Sequence, residues 1–241
     1  MKSILLFYTL FSVALASLPQ NQKKIQKSWV KISVENFSDR PIEEVAYMRY
    51  TFGKNKVHVS FNPAWDTYTL DWSLSGNNVT VGISNYAIEE LTDTSLVIYQ
   101  EGFNRVKFLS EEYLNSKENN LQQVGEINGK PFYKANEIVT ARYEKSTSLT
   151  EVLSKNTSGY NIKSQSYFLL TFVVTEEGEI ENIKVENSIA EGYDAEVIKN
   201  LLKTSKDWKP AYYKGKPVAT QMCYDIKYLK STTPFSAGNL H

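Results

Sequence analysis

Between residues 29 and 102 the chain is cut by turn residues into short segments of strand length, and this rhythm is the strongest constraint on what it can fold into. The segments 29–34, 47–52, 56–61, 67–74, 79–83, 86–88 and 95–99 are dense in Val, Ile, Tyr, Phe and Trp. Breaks fall at Gly53-Lys54-Asn55, Asn62-Pro63, Ser75-Gly76-Asn77-Asn78 and Thr92-Asp93. Such spacing predicts an antiparallel meander, because β-branched and aromatic residues suit a pleated surface while Gly, Asn, Asp and Pro suit its turns. Helical periodicity is almost absent from this half.

Composition narrows the function classes. The chain has 241 residues with 27 Lys+Arg against 27 Asp+Glu, so it lacks the concentrated positive field that phosphate binding needs, and nucleic acid is not expected as a partner. A single cysteine, Cys223, can form neither an internal disulfide nor a multi-thiolate metal site. The first residues carry Lys2, an apolar run from Ile4 to Ala16, and Ala14-Leu15-Ala16 at the spacing a signal peptidase reads. Residues 1–16 are therefore expected to be a cleaved signal peptide. The alternative is an inner-membrane anchor, but the run is shorter than the roughly 20 apolar residues a span needs.

The rhythm changes in the second half. Residues 113–145 read as a polar connector with one hairpin, 124–133, turning at Asn128-Gly129, and Pro131 suggests that this hairpin lies at an edge. Ser148 to Leu153 reads as a short helix, residues 167–175 and 180–185 as strands joined at Glu176-Glu177-Gly178, and Asp194 as the cap of a second helix. Trp208-Lys209-Pro210-Ala211 is expected to end that helix, Lys214-Gly215 to turn, and residues 218–228 to form the last strand. The expected order is helix, strand, strand, helix, strand.

The ordered set Phe172-Val173-Val174, Glu177-Gly178-Glu179-Ile180, Ile183-Lys184-Val185, Trp208-Lys209-Pro210-Ala211 and Gly215-Lys216-Pro217-Val218 resembles the C-terminal domain of TonB proteins in its Bacteroidota-like form. The resemblance covers about residues 136–229, with Gly178, Trp208, Pro210 and Gly215 as its structural marks. It implies two helices on a three-stranded antiparallel sheet that binds by strand addition. The partner implied is an envelope protein such as a TonB-dependent outer-membrane transporter. Carried over, the binding edge is Val218, Ala219, Thr220, Gln221, Met222, Cys223, Tyr224, Asp225 and Ile226. More weakly, Tyr50 to Asn55, Trp72 to Asn77 and Tyr86 to Leu91 resemble a lipocalin-like meander, as a barrel or an incomplete one, in which Phe61, Trp65, Tyr68 and Trp72 either line a pocket or pack between strands.

Catalysis has little support. His58 and His241 are the two imidazoles, the pairs at Glu43-Glu44, Glu89-Glu90, Glu111-Glu112 and Glu176-Glu177 are adjacent rather than facing, and no phosphate loop or metal-ligand cluster appears. No cofactor is expected. The sequence therefore reads as an α+β, exported, non-enzymatic periplasmic protein. Its parts are a signal peptide (1–16), a β meander (23–112), a connector (113–145), a TonB-like domain (146–230) and a tail (231–241). The alternative function is a lipocalin-like binder of a small apolar ligand, with the second half as a structural or dimerising module.

Overall fold

The computed structural model describes residues 20–36, 46–65, 67–102, 104–118, 120–145, 147–160 and 166–228. The expected signal peptide (1–16) and tail (231–241) lie outside the described residues. The chain divides into two compact units, residues 1–119 and 120–241. The expected connector is split between them: its first part is helical and belongs to the first unit, and its hairpin belongs to the second.

The first unit is a closed antiparallel barrel of eight strands in sequence order. They are β1 (Ser28–Asn36), β2 (Arg49–Phe52), β3 (Lys56–Ser60), β4 (Thr67–Ser75), β5 (Asn78–Val81), β6 (Ser84–Leu91), β7 (Ser95–Tyr99) and β8 (Asn104–Ser110). The open or incomplete sheet allowed by the sequence is overturned by β8, which lies beyond the last strand expected and pairs with β1 from Trp29↔Ser110 to Asn36↔Asn104. Closure removes both sheet edges.

Two bulges accommodate closure. The β1–β8 register shifts at Ile32, and the β6–β7 register shifts at Glu89. A bulge inserts one residue and re-aims those that follow. Here it keeps Val34 opposite Val106 inside the barrel and turns Glu35 outward, where it pairs with Arg105 at 3.1 Å. Helix α1 (residues 20–25) plugs the end where β1 begins. Ile25 is fully buried in the barrel core, its carbonyl accepts the Trp29 indole N–H at 2.9 Å, and the Lys27 ammonium donates to the Asp93 carbonyl. Helix α2 (Glu111–Lys117) packs on the outer wall against β1 and β8, with Ser110 capping it through Tyr113 N–H. Beneath it the buried Arg49 guanidinium donates to Tyr47 and Pro63 and faces Glu111 at 3.7 Å.

In the second unit the individual strands fall close to where periodicity placed them, but the sheet is larger than expected. The added elements are β9 (Gln123–Ile127), β10 (Lys130–Lys134), β11 (Arg142–Tyr143), α3 (Leu149–Leu153), β12 (Ser166–Val174), β13 (Ile180–Asn187), α4 (Glu191–Leu202), β14 (Trp208–Lys209), β15 (Ala211–Tyr213) and β16 (Lys216–Tyr228). The order β13-β12-β16-β10-β9, with β15 also on β16, makes a six-stranded sheet that replaces the expected three-stranded one. The reason is the hairpin β9–β10. Asn128 and Gly129, at φ 52° and 75°, make its two-residue turn, and β10 then joins β16 in parallel from Phe132↔Ala219 to Lys134↔Gln221. Pro131 precedes that ladder, so its missing N–H breaks no bond to β16, and the edge is β9 rather than β10.

Two local expectations are also corrected. Helix α4 starts at Glu191 with Ala190 at its cap position, and the Asp194 carboxylate lies inside its first turns, accepting from Ile189 N–H at 3.3 Å. Trp208-Lys209 does not end the helix, which stops at Leu202; it forms β14 and pairs with β11.

Gly178 sits at φ +81°, and a Cβ there would overlap the Trp208 carbonyl oxygen, whereas Gly215, at φ +77°, faces open space. Both backbones favour glycine, but only the first also has no room. Gly178→Ala should therefore cost about 2 kcal/mol or more and Gly215→Ala about 1 kcal/mol. Equal shifts of the urea midpoint for the two variants would refute the close approach.

Candidate functional site: the barrel lumen

Directly opposed residues on an antiparallel ladder share a face, so the register assigns every side chain to the lumen or to the outer wall. The end next to α1 is filled. Trp29, Phe52, Trp72 and Phe108 are buried there with Tyr50, whose ring lies 5.2 Å from Phe108, while Phe52 meets Trp72 edge-on at 5.0 Å. Tyr50 on β2 also shares a side-chain hydrogen bond with Tyr86 on β6. Burial is the main cause that pushes the Tyr50 phenol above its ordinary range, and the Tyr86 hydroxyl adds to it.

Toward the other end the wall is uneven. Strand β4 has nine residues and its neighbour β5 only four, and the β4–β5 ladder starts at Trp72↔Val81. Thr67 to Leu70 therefore pair with β3 alone. Tyr68 is opposite Val59 and Leu70 is opposite Val57, both buried core residues, so both side chains are on the inward face. Yet they are 61% and 39% exposed, which marks a notch where the lumen meets solvent. Ile83, at the tip of the β5–β6 turn, is fully exposed beside this gap, and Phe61 stands 6.1 Å from Tyr68.

Lys31 is the unexpected lumen residue. It pairs with Phe108 on β8, and its N–H donates to the carbonyl of Met48, the residue just before β2; Phe108 is in the barrel core and Met48 packs against it. The ammonium stem is thus on the inward face, and burial holds its pKa below the ordinary lysine value. Among the described residues assigned inward by register, none is Asp or Glu. Charges occupy the outer wall instead: Lys56 bonds Asp71 at 2.7 Å, and Arg105 bridges Glu35 and Glu89. His58 is exposed on the same outer side, sharing a hydrogen bond with Thr69. An apolar lumen inside a charged wall is the reverse of a membrane-spanning barrel.

Of the four pocket candidates read from sequence, Tyr68 and Phe61 stand at the notch, Trp72 is packed in the filled end with its indole N–H donating to the Gly53 carbonyl, and Trp65 is half-buried in the β3–β4 loop. No pattern in the sequence singled out Lys31.

The residues carried over from the TonB resemblance fall in the second unit. Trp208 is buried between Phe172 and Tyr143 with its indole donating to Thr204 at 3.0 Å, Gly178 packs on its carbonyl beside Pro210, and Gly215 turns β15 into β16. The expected binding edge is β16, a central strand. Val218 pairs with β15 on one side, and Ala219, Thr220 and Gln221 pair with β10, so these four are no edge. From Met222 to Ile226 the described ladder runs to β12 alone. Met222 and Tyr224 are buried, Ile226 is half-buried, and Cys223 and Asp225 are exposed; desolvation chiefly, then Asp225, pushes the Cys223 thiol up.

Because the folded chain holds the Lys31 proton less tightly than the unfolded chain does, this group subtracts stability at neutral pH, and that loss is relieved as pH rises through the window below 10.5. Lys31→Met should raise the urea midpoint at pH 7, with the gap to the parent chain shrinking by pH 10. An unchanged midpoint at pH 7 would place the ammonium in bulk water.

Against family models, curated proteins and solved structures, the chain finds no match.

Proposed function

We propose that the protein is a non-enzymatic binding protein whose barrel takes up a small apolar molecule at the end of the lumen away from α1. The observation that carries this reading is the exposure of inward-facing Tyr68 and Leu70 where β4 outruns β5. A sealed hydrophobic core buries such side chains, whereas ligand sites are concave, mostly apolar surfaces that remain open to solvent. The mouths of small β-barrels are recurrent places for them. Nile red, a neutral apolar dye, should bind the full-length protein saturably with a rise in emission, and Leu70→Glu should weaken it at least tenfold. Dye emission that never saturates, or that Leu70→Glu leaves unchanged, removes this reading.

A second reading concerns the other unit, where we infer that an extended segment of an envelope protein, a TonB-dependent transporter by the resemblance above, adds alongside Met222 to Ile226. Two observations favour this stretch over β13. Strand β13 is broken by two register shifts and carries Asn182 at φ 47°, irregularities that discourage pairing, while the β16 ladder with β12 is regular from Ser166↔Tyr228 to Val174↔Thr220. Export to the periplasm belongs to the same reading; among the described residues no helix is long and apolar enough to cross a membrane, which does not bear on strands. Purified from the periplasm, the protein should begin at Ser17, and a benzophenone maleimide on Cys223 should crosslink it to a TonB-dependent transporter in envelope fractions. Loss of that adduct's specificity, with unrelated proteins labelled equally, would end the transport role.

A further inference from the structure

We propose that the barrel's ligand carries one anionic head group, which pairs with the ammonium of Lys31 inside the lumen. This rests on the reading of the barrel as a binding site and adds the chemical class of what it binds. The β1 ladder supplies the geometry. Trp29 and Lys31 both point inward, opposite Ser110 and Phe108, before the bulge at Ile32 re-aims the strand. Lys31 thus projects from a fixed β-strand into an apolar enclosure bounded by Met48 and Phe108.

A cation in such surroundings is unfavourable unless a partner compensates it. Inward-facing described positions offer no carboxylate; on the wall around Lys31, Glu111 faces Arg49 at 3.7 Å under α2, and Glu35 and Glu89 are turned outward onto Arg105. The protein therefore holds a positive charge in the lumen with no counter-charge from its own described inward positions. The other titratable groups on that face are phenols, which are neutral at physiological pH.

Those phenols supply a second donor. Tyr50 is the diagonal neighbour of Lys31 across the β1–β2 ladder, since Lys31 bonds Met48 and Tyr50 lies two residues further along the same face. The bond to Tyr86 raises the Tyr50 pKa, so Tyr50 is its donor and the Tyr86 hydroxyl proton, on β6, is the one left to donate. An ammonium and a phenolic O–H on one apolar face recognise a carboxylate or a comparable small anion, and the remaining lumen takes an aliphatic or ring body. A quaternary ammonium or a doubly charged anion would be rejected, the first by repulsion and the second by desolvation.

Titration calorimetry of the full chain with decanoate and with decanol compares ligands of equal chain length that differ at the head group. Decanoate is expected to bind at least tenfold more tightly. Lys31→Met should abolish that preference by weakening decanoate at least tenfold. Equal affinities in the parent protein, tighter binding of decanol, or a preference that survives in Lys31→Met would each overturn the head-group assignment and leave the binding role intact. If neither ligand binds and Nile red fails as well, the binding role itself falls and this assignment with it. Should Lys31→Met fail to fold by circular dichroism, Lys31→Arg and Lys31→Gln replace it: Arg must keep the preference and Gln must lose it.

Discussion

The ladder between β1 and β8 is the contact on which the first unit depends. Seven of the eight strand pairings join sequence neighbours and could form in any open meander. Only the eighth brings residues about 80 positions apart together, as in Trp29 with Ser110, and it converts a two-faced sheet into an inside and an outside. That conversion requires bulges, because a flat ladder does not curl into a closed wall of this size. The bulge at Ile32 does this while also deciding which β1 residues see the lumen. The seal at one end follows from the same place in the chain, since α1 leads straight into Trp29 and gives that indole its hydrogen-bond acceptor.

Polarity is then sorted by the wall. Salt-bridged side chains on the outside contribute little to stability individually, since exposed pairs are worth about 0–1 kcal/mol, but they keep the barrel in water. The inner face gains from apolar burial, at roughly 25 cal/mol for each Å² removed from solvent. Lys31 runs against both trends. In the second unit the comparable focus is Trp208, which joins β14 to β11, meets Phe172 edge-on and presents its carbonyl to Gly178, so that a helix end, a hairpin and a sheet meet at one residue.

Much of the strand pattern was legible in the residues. Runs such as 56–61 and 95–99 alternate or stay apolar as their burial requires, and Asn128-Gly129 adopts the positive φ angles its identity suggests. What was not legible depended on partners distant in sequence. The segment Asn104 to Ser110 carries Arg, Lys and Asn with only three large apolar residues, too weak a signal to mark the strand that closes the barrel. The hairpin at 124–133 was visible, but nothing local says that β10 will lie parallel to β16. Lys31 shows the limit most clearly. In Val30-Lys31-Ile32-Ser33-Val34 the apolar residues alternate so as to place the lysine in solvent. Helix α2 covers the outer wall at Val30, and the bulge takes Ile32 out of the ladder, so the tertiary structure inverts the local pattern. The resemblance to TonB domains covers about residues 136–229, after β9 and β10, and so says nothing of that hairpin.

The position of β16 has a consequence for how the two units form. The barrel's strands add one after another, each beside its predecessor, so its wall can grow as the chain lengthens. The second sheet cannot. Strands β12 and β10 lie on opposite sides of β16 and share no ladder with each other, and β16 follows both in the sequence. Until β16 is made, the hairpin β9–β10 and the pair β12–β13 are separate fragments with unpaired edges, and neither has the three strands an independent sheet needs. During synthesis the first unit is therefore committed early, while the second waits as loose pieces and then assembles in one late event around a single strand.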